Sequence, residues 1–515
     1  MVSVMECRPP PRRELIGTCR SPAGSGRGTR AAQARRMPTD LDLLASGTAM
    51  LAALAGGQVG AEELTRAHLH RIRGAGAALN AVVTLDAEGA LAAARAVDAD
   101  RAAGRPLGPL AGLPVTVKDT IDAAGLRSSH GRASDARLAA VDAPVVRRLR
   151  AAGCVVLGKT NVPVYLASLH TWNDWLGATW SPWGPRLSSG GSSGGASAAV
   201  AAGLAVADLG SDLAGSLRIP AAWCGLFGHR PSNGVVSKLG NLPWPRGGLL
   251  EPMVSSVGPM TRSAADTTSF FEAMAGAEGV EAVGWRLELP PPRVRSLRDV
   301  RVAVWTDDPT CRVDAETRSA VRSFADRLAD AGARVAELTA PPVGGADDLA
   351  LFARLQAGEV VHGMDAEAWA DAGARAAAGD PVARLYQQDL RSALDDLEAQ
   401  RAATVRWQQL FTGVDVVLCP AVTRGAITPD ADGRTPATVD VDGSAEPVDS
   451  LSDWSRLSSL GRLPATVVPL GPGTRSGLPI GAQLLGPYLE DRTPLRVAEL
   501  AEEAGLVGFR PPPGW

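Results

Sequence analysis

Lysine occurs at only three positions in this chain of 515 residues, Lys118, Lys159 and Lys238, and nearly all the other side-chain cations are arginine. A desolvated lysine can be neutral near pH 7 and act as a general base, whereas arginine stays protonated in proteins. Lys118 ends the apolar segment LPVTVK, so we expect burial to lower its pKa. Lys159 has a similar setting in LGKTN and is the rival candidate, while Lys238 lies in a polar loop and is expected to be solvated.

A glycine- and serine-rich stretch, SSGGSSGG at residues 188–195, precedes an apolar helical pattern that begins near Ala196. A flexible linker would be flanked by domain edges and not by a helix of this kind. The glycines permit backbone conformations that are closed to other residues, so Ser192 and Ser193 can be held in a strained, functional geometry. The amino end of the helix would also suit a phosphate nest, but the stretch lacks the Lys-Ser/Thr ending of a P-loop.

A second stretch of small residues, GSDLAGSLRIP at 210–220, contains a candidate nucleophile, Ser216. The small residues before it leave the backbone N–H groups of Leu213 to Ser216 open to an incoming carbonyl oxygen, as an oxyanion hole requires. Asp212 and Arg218 carry opposite charges on either side of this serine, and we interpret them as a structural ion pair that fixes the loop. A serine, a lysine base and an oxyanion hole together indicate nucleophilic catalysis at a carbonyl carbon.

These motifs resemble the signature of the amidase signature family, which uses a Ser-cisSer-Lys triad. The resemblance runs from about residue 40 to residue 508. Its segments, in the family's order, are GLPVTVKD, DAPVVRRLRAAG, LGKTN, GGSSGG, GSDLAGSLR, RIPAAWCGLFGHRPS, VGPMTRSAAD, DVVLCP, LPATVVPLG and GLPIGAQLLGP. The expected fold is α/β, a single amidase-signature domain in which helices cover both faces of a central, mostly parallel mixed β-sheet.

The resemblance implies a role for each candidate residue. Lys118 would be the base, Ser192 the relay serine after a cis Gly191–Ser192 peptide bond, and Ser216 the nucleophile. Lys159 falls on the family's GKTN segment, which is not catalytic. The backbone N–H groups implied to hold the oxyanion belong to Leu213, Ala214, Gly215 and Ser216, and the residues implied to support the loops are Gly191, Ser193, Asp212 and Arg218. The implied reaction is the hydrolysis of a carboxamide through an acyl-enzyme on Ser216, with no metal and no other cofactor.

The chain departs from the family pattern in several places, of which two bear on the site. Ala214 stands where a second glycine is usual, and the loop at residues 161–187 is unusually rich in tryptophan. Its four tryptophans are Trp172, Trp175, Trp180 and Trp183. They either line a pocket for an aromatic or extended apolar substrate or pack the loop onto the core, and the pocket interpretation places Trp172, Trp175 and Trp180 beside the substrate.

Four functions fit these residues. The complete triad favours a stand-alone amidase that acts on a small or aryl-substituted carboxamide. A biosynthetic acyltransferase or an esterase of the same family would pass the acyl group to an amine or cleave an ester. The glutamine-amidotransferase subunit of a tRNA-modifying complex is disfavoured by the unusual 161–187 loop, and a catalytically silent binding protein is disfavoured by the intact triad.

Composition limits the partners and the compartment. The net charge of −3 provides no basic field for nucleic acid. The six cysteines form neither a CxxC motif nor a Cys/His cluster, so we expect no zinc site and no disulfide framework. No apolar run reaches the ~18 residues that a membrane span needs. We therefore expect a soluble, cytoplasmic enzyme that binds a small-molecule amide and neither nucleic acid nor membrane, with a homodimer as the default assembly.

Several elements must position these residues. Residues 1–36 are an Arg-, Pro- and Gly-rich leader that we expect to be disordered, and residues 511–515 an irregular tail. Between them, the domain at 37–510 is expected to place its catalytic core at about 80–290 and a helical cover at about 300–410. In the core, DAPVVRRLRAAGCVVLGKTN predicts a helix that Asp142 caps and Gly153 ends, followed by a strand. His229 is expected to make a core hydrogen bond.

Overall fold

The structure, a computed structural model, describes residues 41–241, 249–251 and 253–515. The leader predicted at residues 1–36 lies outside the described residues. Residues 41–515 form one compact unit. No helix within the described ranges is both long enough and apolar enough to cross a bilayer.

Strands and helices alternate along much of the chain. The strands are β1 Val82–Leu85, β2 Pro114–Lys118, β3 Arg127–Ser128, β4 Arg137–Leu138, β5 Val155–Thr160, β6 Ala207–Asp212, β7 Phe227–Arg230, β8 Ser256–Thr261, β9 Arg301–Val304, β10 Arg334–Glu337, β11 Val416–Pro420, β12 Thr438–Val441, β13 Ser444–Pro447, β14 Ala465–Pro472 and β15 Pro479–Leu485. The α-helices are α1 Gly47–Ala55, α2 Ala61–Arg73, α3 Ala87–Ala102, α4 Pro144–Ala151, α5 Gly194–Ala201, α6 Arg218–Cys224, α7 Ala264–Met274, α8 Ala315–Asp330, α9 Gly345–Val361, α10 Ala366–Ala377, α11 Pro381–Leu385, α12 Leu390–Leu410, α13 Asp453–Leu460 and α14 Arg492–Glu503.

Eleven strands form one mixed sheet in the order β1-β5-β2-β6-β8-β7-β14-β15-β11-β9-β10. Every residue of β2, β5, β6, β7, β8, β11 and β15 is buried, which requires cover on both faces of the sheet. The predicted α/β class and the helical cover of a mixed sheet are confirmed.

The prediction that the sheet is mostly parallel is wrong. Within the described residues, the pairs β5–β2, β2–β6, β11–β9 and β9–β10 are parallel, and the other neighbouring pairs are antiparallel. The loop at 473–478 that joins β14 to β15 shows why, because a connection this short suits antiparallel neighbours, whereas parallel neighbours need a crossover.

The helix predicted after Asp142 is present as α4, but Asp142 does not cap it. The N-cap is Ala143, and the Asp142 carboxylate instead accepts the N–H of Ala124 at 2.7 Å. Pro144 occupies the first turn, as expected. Gly153 follows the helix with φ 93°, and a side chain there would meet Ala111, so glycine is required at this turn into β5.

The segment expected as a helical cover, about 300–410, also supplies β9 and β10 to one edge of the sheet. Its helix α9 packs against α12 and against α13 from later in the chain. Trp305, which follows β9, packs its buried ring against Trp407 of α12 and against Trp454 of α13, the latter edge-to-face at 5.1 Å between centroids. The cover is therefore joined to the sheet through an aromatic core.

Candidate active site

Lys118 is the last residue of β2 and is fully buried. Its Nζ lies 2.8 Å from Ser192 Oγ, 2.8 Å from Ser193 Oγ and 3.0 Å from Ser211 Oγ. All three partners are neutral hydroxyls, and no carboxylate is in direct contact with the amine within the described residues. This setting favours loss of the proton, because burial penalises a charged amine.

Burial lowers the pKa of Lys118 to about 7, although the carboxylates of Asp212 and Asp208 favour its charged form. Asp208 lies on β6 beside β2 and accepts a hydrogen bond from Thr160 Oγ1 at 3.0 Å. Burial also raises the pKa of Asp208 to about 7. A large fraction of Lys118 is therefore neutral at physiological pH, as a general base must be.

The rival lysine, Lys159, does not reach the serines. It lies on β5 opposite Val117, so its side chain projects to the face of the sheet opposite to Lys118. Its Nζ donates to the carbonyls of Asp119 at 2.9 Å and Arg127 at 3.3 Å and to the Ser128 hydroxyl at 3.1 Å. Burial lowers the pKa of Lys159 to about 8, but its partners are structural groups of the neighbouring loops.

The glycine-rich stretch forms a tight loop that leads into α5, which begins at Gly194, two residues earlier than predicted. The Gly191–Ser192 peptide bond is cis. A Cβ at Gly191 would lie 2.1 Å from the Ser168 carbonyl oxygen, and one at Gly190 would lie 2.6 Å from Pro220 Cα. Neither glycine leaves room for a side chain, so the loop is packed on both sides and is not a linker.

The turn at residues 213–216, which we call the oxyanion turn, follows the last residue of β6. The Gly215 N–H donates to Asp212 Oδ1 at 2.9 Å, so the expectation that this N–H is open to an oxyanion is wrong. The Asp212 carboxylate also accepts the N–H of Arg218 at 3.2 Å and thus caps the start of α6. Within the described residues, the N–H groups of Leu213, Ala214 and Ser216 make no hydrogen bond.

The alanine at position 214 does not strain the turn. Its backbone lies outside the left-handed region, whereas Gly215 has φ 107°. The departure from the family pattern at Ala214 therefore costs no backbone energy.

Asp212 and Arg218 form the predicted ion pair. Nε and Nη2 of Arg218 lie 2.8 and 2.9 Å from the two carboxylate oxygens, and both side chains are fully buried. Burial alone would raise the pKa of Asp212, but the guanidinium groups of Arg218 and Arg230 outweigh it and hold this pKa well below its ordinary value. Arg218 also donates to Ser459 Oγ at 2.7 Å and Gln483 Oε1 at 2.9 Å.

Ser216 is half-buried, and its carbonyl oxygen accepts the Ser193 N–H at 3.1 Å. This bond connects the oxyanion turn to the glycine-rich loop. The Ser216 hydroxyl makes no hydrogen bond within the described ranges, so its expected contact with Ser192 stays a prediction. Catalytic hydrogen bonds are often long without substrate, and this geometry is compatible with the expected role.

Each tryptophan of the 161–187 loop has a partner in the protein. The guanidinium of Arg127 lies 4.3 Å from the Trp175 ring centroid. The guanidinium of Arg434 lies 5.1 Å from that of Trp172. Trp180 lies beside His170 at 5.5 Å, and Trp183 Nε1 donates to the Cys224 carbonyl at 3.0 Å. These contacts support the packing interpretation, and a substrate contact by Trp172, Trp175 or Trp180 stays a prediction.

The sequence reasoning missed Ser211 and misplaced Lys238. Ser211 contacts Lys118, and its position as the serine of the GSD motif at the end of β6 was the available signal. Lys238, expected to be solvated, is buried and pairs with Glu359 at 2.8 Å. Local polarity could not reveal a partner that comes from α9. His229 makes its expected core contact, with Nδ1 2.9 Å from Thr466 Oγ1.

A sequence model described as Amidase matches residues 63–495. The chain therefore belongs to the amidase family. This match confirms the resemblance to amidase signature enzymes. Within the described residues, no group of three or more His, Cys, Asp or Glu side chains is placed to hold a metal ion.

Individual relatives span nearly the same length. A glutamyl-tRNA(Gln) amidotransferase subunit from Roseiflexus sp. (strain RS-1) is 34% identical over 477 residues, which cover 87% of this chain and 93% of the relative. The indoleacetamide hydrolase of Bradyrhizobium diazoefficiens is 32% identical over 476 residues, covering 89% and 86%. The structure of the peptide amidase from Stenotrophomonas maltophilia matches with a TM-score of 0.72 and 25% identity, covering 91% of this chain and 98% of that one. This chain is thus similar to enzymes that act on amides.

We predict that Arg218→Lys lowers the free energy of unfolding by about 2–3 kcal/mol, because lysine keeps the charge but cannot replace the paired contacts to the buried Asp212 carboxylate. Urea unfolding measures the change. The matched control is Arg301→Lys, which alters an arginine–carboxylate pair with Asp415 in which the arginine side chain is 35% exposed, and it should cost about 1 kcal/mol or less. An equal loss in both variants would contradict the structural role of Arg218.

Proposed function

We propose that this member of the amidase family hydrolyses a carboxamide to a carboxylate and an amine or ammonia through an acyl-enzyme on Ser216. The observation that carries the proposal is the buried amine of Lys118, in hydrogen-bonding distance of Ser192 and free of any direct carboxylate contact within the described residues. Such an amine can accept a proton at neutral pH. Ser193, which also contacts Lys118, donates its N–H to the Ser216 carbonyl and so connects the oxyanion turn to the lysine.

In the proposed reaction, neutral Lys118 takes a proton from Ser192, which takes one from Ser216 as the Ser216 oxygen attacks the amide carbonyl carbon. The negative charge that develops on the carbonyl oxygen is held by the free N–H groups of Leu213, Ala214 and Ser216. The proton returns through Ser192 to the departing amine. Water then repeats the cycle on the acyl-enzyme and releases the carboxylate.

Asp212, Arg218, Gly191 and Ser193 have supporting roles in this proposal. Asp212 accepts the Gly215 N–H within the oxyanion turn, whereas the neighbouring N–H groups make no hydrogen bond in the described part of the chain. The Ser193 hydroxyl accepts a hydrogen bond from Lys118 Nζ and donates one to the Ser211 carbonyl oxygen at 3.2 Å. The relay is thus held on the glycine-rich loop and on β6 together.

The proposed substrate is a small or aryl-substituted carboxamide, bound without a cofactor. The similarity to an indoleacetamide hydrolase supports an aryl group, and Trp172, Trp175 and Trp180 are the proposed pocket residues. A cytoplasmic location and a homodimer belong to the same proposal. The free thiols of Cys154, Cys224, Cys311 and Cys419 suit a reducing compartment.

A second candidate function follows from the similarity to one subunit of a glutamyl-tRNA(Gln) amidotransferase, which favours glutamine as the amide and a protein complex as the context. An acyltransferase or an esterase would form the same acyl-enzyme on Ser216. A catalytically silent binding protein would form no acyl-enzyme.

We predict that the purified chain alone releases ammonia from indoleacetamide faster than from glutamine, because no partner is needed for a stand-alone amidase. The measurement compares the two amides, with and without added hydroxylamine, by ammonia release and by mass of the products. Glutamine as the better substrate would favour the amidotransferase function. A hydroxamate that replaces the carboxylate at low hydroxylamine concentration would favour acyl transfer.

We predict that a fluorophosphonate forms one adduct, on Ser216, because the probe reports an activated serine without requiring the substrate. Peptide mapping should locate the adduct, and Ser216→Ala should remove it. Lys118→Met should slow labelling by about 100-fold or more, since the base is lost. The matched control is Lys159→Met, which also removes a buried lysine from an adjacent strand and should leave the labelling rate of the folded protein within a few-fold. Equal loss in both lysine variants would refute the assignment of the base.

We predict that the labelling rate rises with pH through a midpoint near the Lys118 pKa of about 7, because only the neutral amine accepts a proton. Asp208→Asn removes a carboxylate that favours the charged amine, so the midpoint should move to lower pH. Labelling reactions stopped at fixed times over a series of pH values give the midpoint for the unmodified protein and for Asp208→Asn. A rate that does not depend on pH between about 5 and 9 would exclude Lys118 as the titrating base.

A further inference from the structure

A buried ion pair joins helix α9 to the segment that precedes β8. Lys238 Nζ lies 2.8 Å from Glu359 Oε1, and the two side chains are 6% and 3% exposed. Glu359 Oε2 accepts the N–H groups of Val254 and Ser255, each at 3.1 Å. The Ser255 hydroxyl contacts both Lys238 and Glu359. One carboxylate of the cover thus binds a lysine and three donors from elsewhere in the chain.

The charge of Glu359 is maintained by this arrangement. Burial alone would raise its pKa, but the Lys238 ammonium and the hydrogen-bond donors outweigh burial and hold the pKa below its ordinary value. A buried pair of this kind is costly to break, because either partner alone would be an uncompensated charge.

The residues bound by Glu359 lie directly beside the oxyanion turn. Strand β8 begins at Ser256, and Ser256 pairs with Asp212, the residue that immediately precedes the turn. Leu213 and Ala214 of the turn pack against the hydrophobic cluster that contains Val254. Val254 and Ser255 therefore belong to the segment that packs against the oxyanion turn.

Arg230 makes a second connection between the same parts. Its Nη2 donates to the Val254 carbonyl at 2.5 Å, and its Nε lies 3.8 Å from Asp212 Oδ1. A continuous set of buried polar contacts thus runs from Glu359 through Val254 and Arg230 to Asp212.

The pair also acts on the base through its charge. The charged groups that influence Lys118 are the carboxylates of Asp212 and Asp208, which favour the ammonium form, and the Lys238 ammonium, which opposes it. The direct contacts of Lys118, with Ser192, Ser193 and Ser211, are neutral. The Asp212 carboxylate is itself paired with Arg218, and Lys238 is a further cation that lowers the pKa of Lys118.

We propose that Lys238 and Glu359 are a positioning pair for the amidase reaction. Glu359 fixes residues 254 and 255 against the oxyanion turn, and the Lys238 charge favours the neutral form of Lys118. The inference rests on the proposed role of Lys118 as the base. It gives the helical cover a part in the chemistry as well as in covering the site.

The test is the pH dependence of fluorophosphonate labelling for Lys238→Met, Glu359→Gln and the double variant. Lys238→Met leaves Glu359 unbalanced, so the midpoint should rise by about half a pH unit. Glu359→Gln removes the negative charge of the pair, so the midpoint should fall by a similar amount. The double variant removes both charges, so its midpoint should return close to that of the unmodified protein while its maximal rate stays several-fold lower. A merely structural role would lower the rates without moving the midpoints in opposite directions.

Two controls complete the experiment. Lys238→Arg keeps the charge and should keep the midpoint, and Arg301→Met, which breaks the pair with Asp415 on β9, should not move it. Circular dichroism and thermal unfolding confirm that each variant is folded. If one single variant does not fold, the other single variant and the double variant decide, since the single variant should shift the midpoint and the double variant should reverse that shift.

The outcomes separate this inference from the proposed function. An unlabelled wild-type protein would overturn the proposed function and the pair's role with it. A labelled wild-type protein whose midpoint is the same in both single variants, or moves in the same direction in both, would overturn the pair alone. A double variant with the full wild-type rate would overturn the positioning by Glu359.

Discussion

The buried contact between Asp212 and Arg218 determines how the other parts of the site are arranged. The aspartate ends a sheet strand, shapes the oxyanion turn through the Gly215 N–H and caps the helix that follows. The arginine extends the same contact to Ser459 on α13 and to Gln483 on β15. Because every one of these groups is buried, each hydrogen bond is strong and none has water as a substitute. The turn is therefore fixed before any substrate arrives.

The desolvation of Lys118 depends on that arrangement. A sheet covered on both faces excludes water from the end of β2, and the hydroxyls of Ser192, Ser193 and Ser211 satisfy the amine without fixing its proton. Arginine could not serve here, since its guanidinium does not deprotonate in proteins. In the proposed reaction, this difference explains why a lysine and not an arginine stands at position 118.

The parts that surround the site are built differently from the site itself. The tryptophan-rich loop is held by stacking with arginines and by contacts to a distant loop, as in the pair of Trp172 and Arg434. The helical cover is held by aromatic packing and by the Lys238–Glu359 pair. The tryptophan-rich loop is thus held by groups away from the serines, whereas Lys118 is held by hydrogen bonds to Ser192, Ser193 and Ser211. Differences in substrate among similar enzymes can therefore arise without changes to the triad.

The sequence by itself determined the α/β class, the two glycine-containing motifs, the preference for Lys118 and the Asp212–Arg218 pair, because these depend on local periodicity, on rare residue types and on a family pattern. Only the tertiary structure decided the strand directions, the use of the Gly215 N–H by Asp212, the contact of Ser211 with Lys118 and the burial of Lys238 against Glu359. Most of these features require groups that are distant in sequence to meet. The Gly215 N–H is different, because either Asp212 or the carbonyl oxygen of a substrate could accept it. Local sequence patterns do not contain that information, since the outcome depends on which surfaces are brought together by packing.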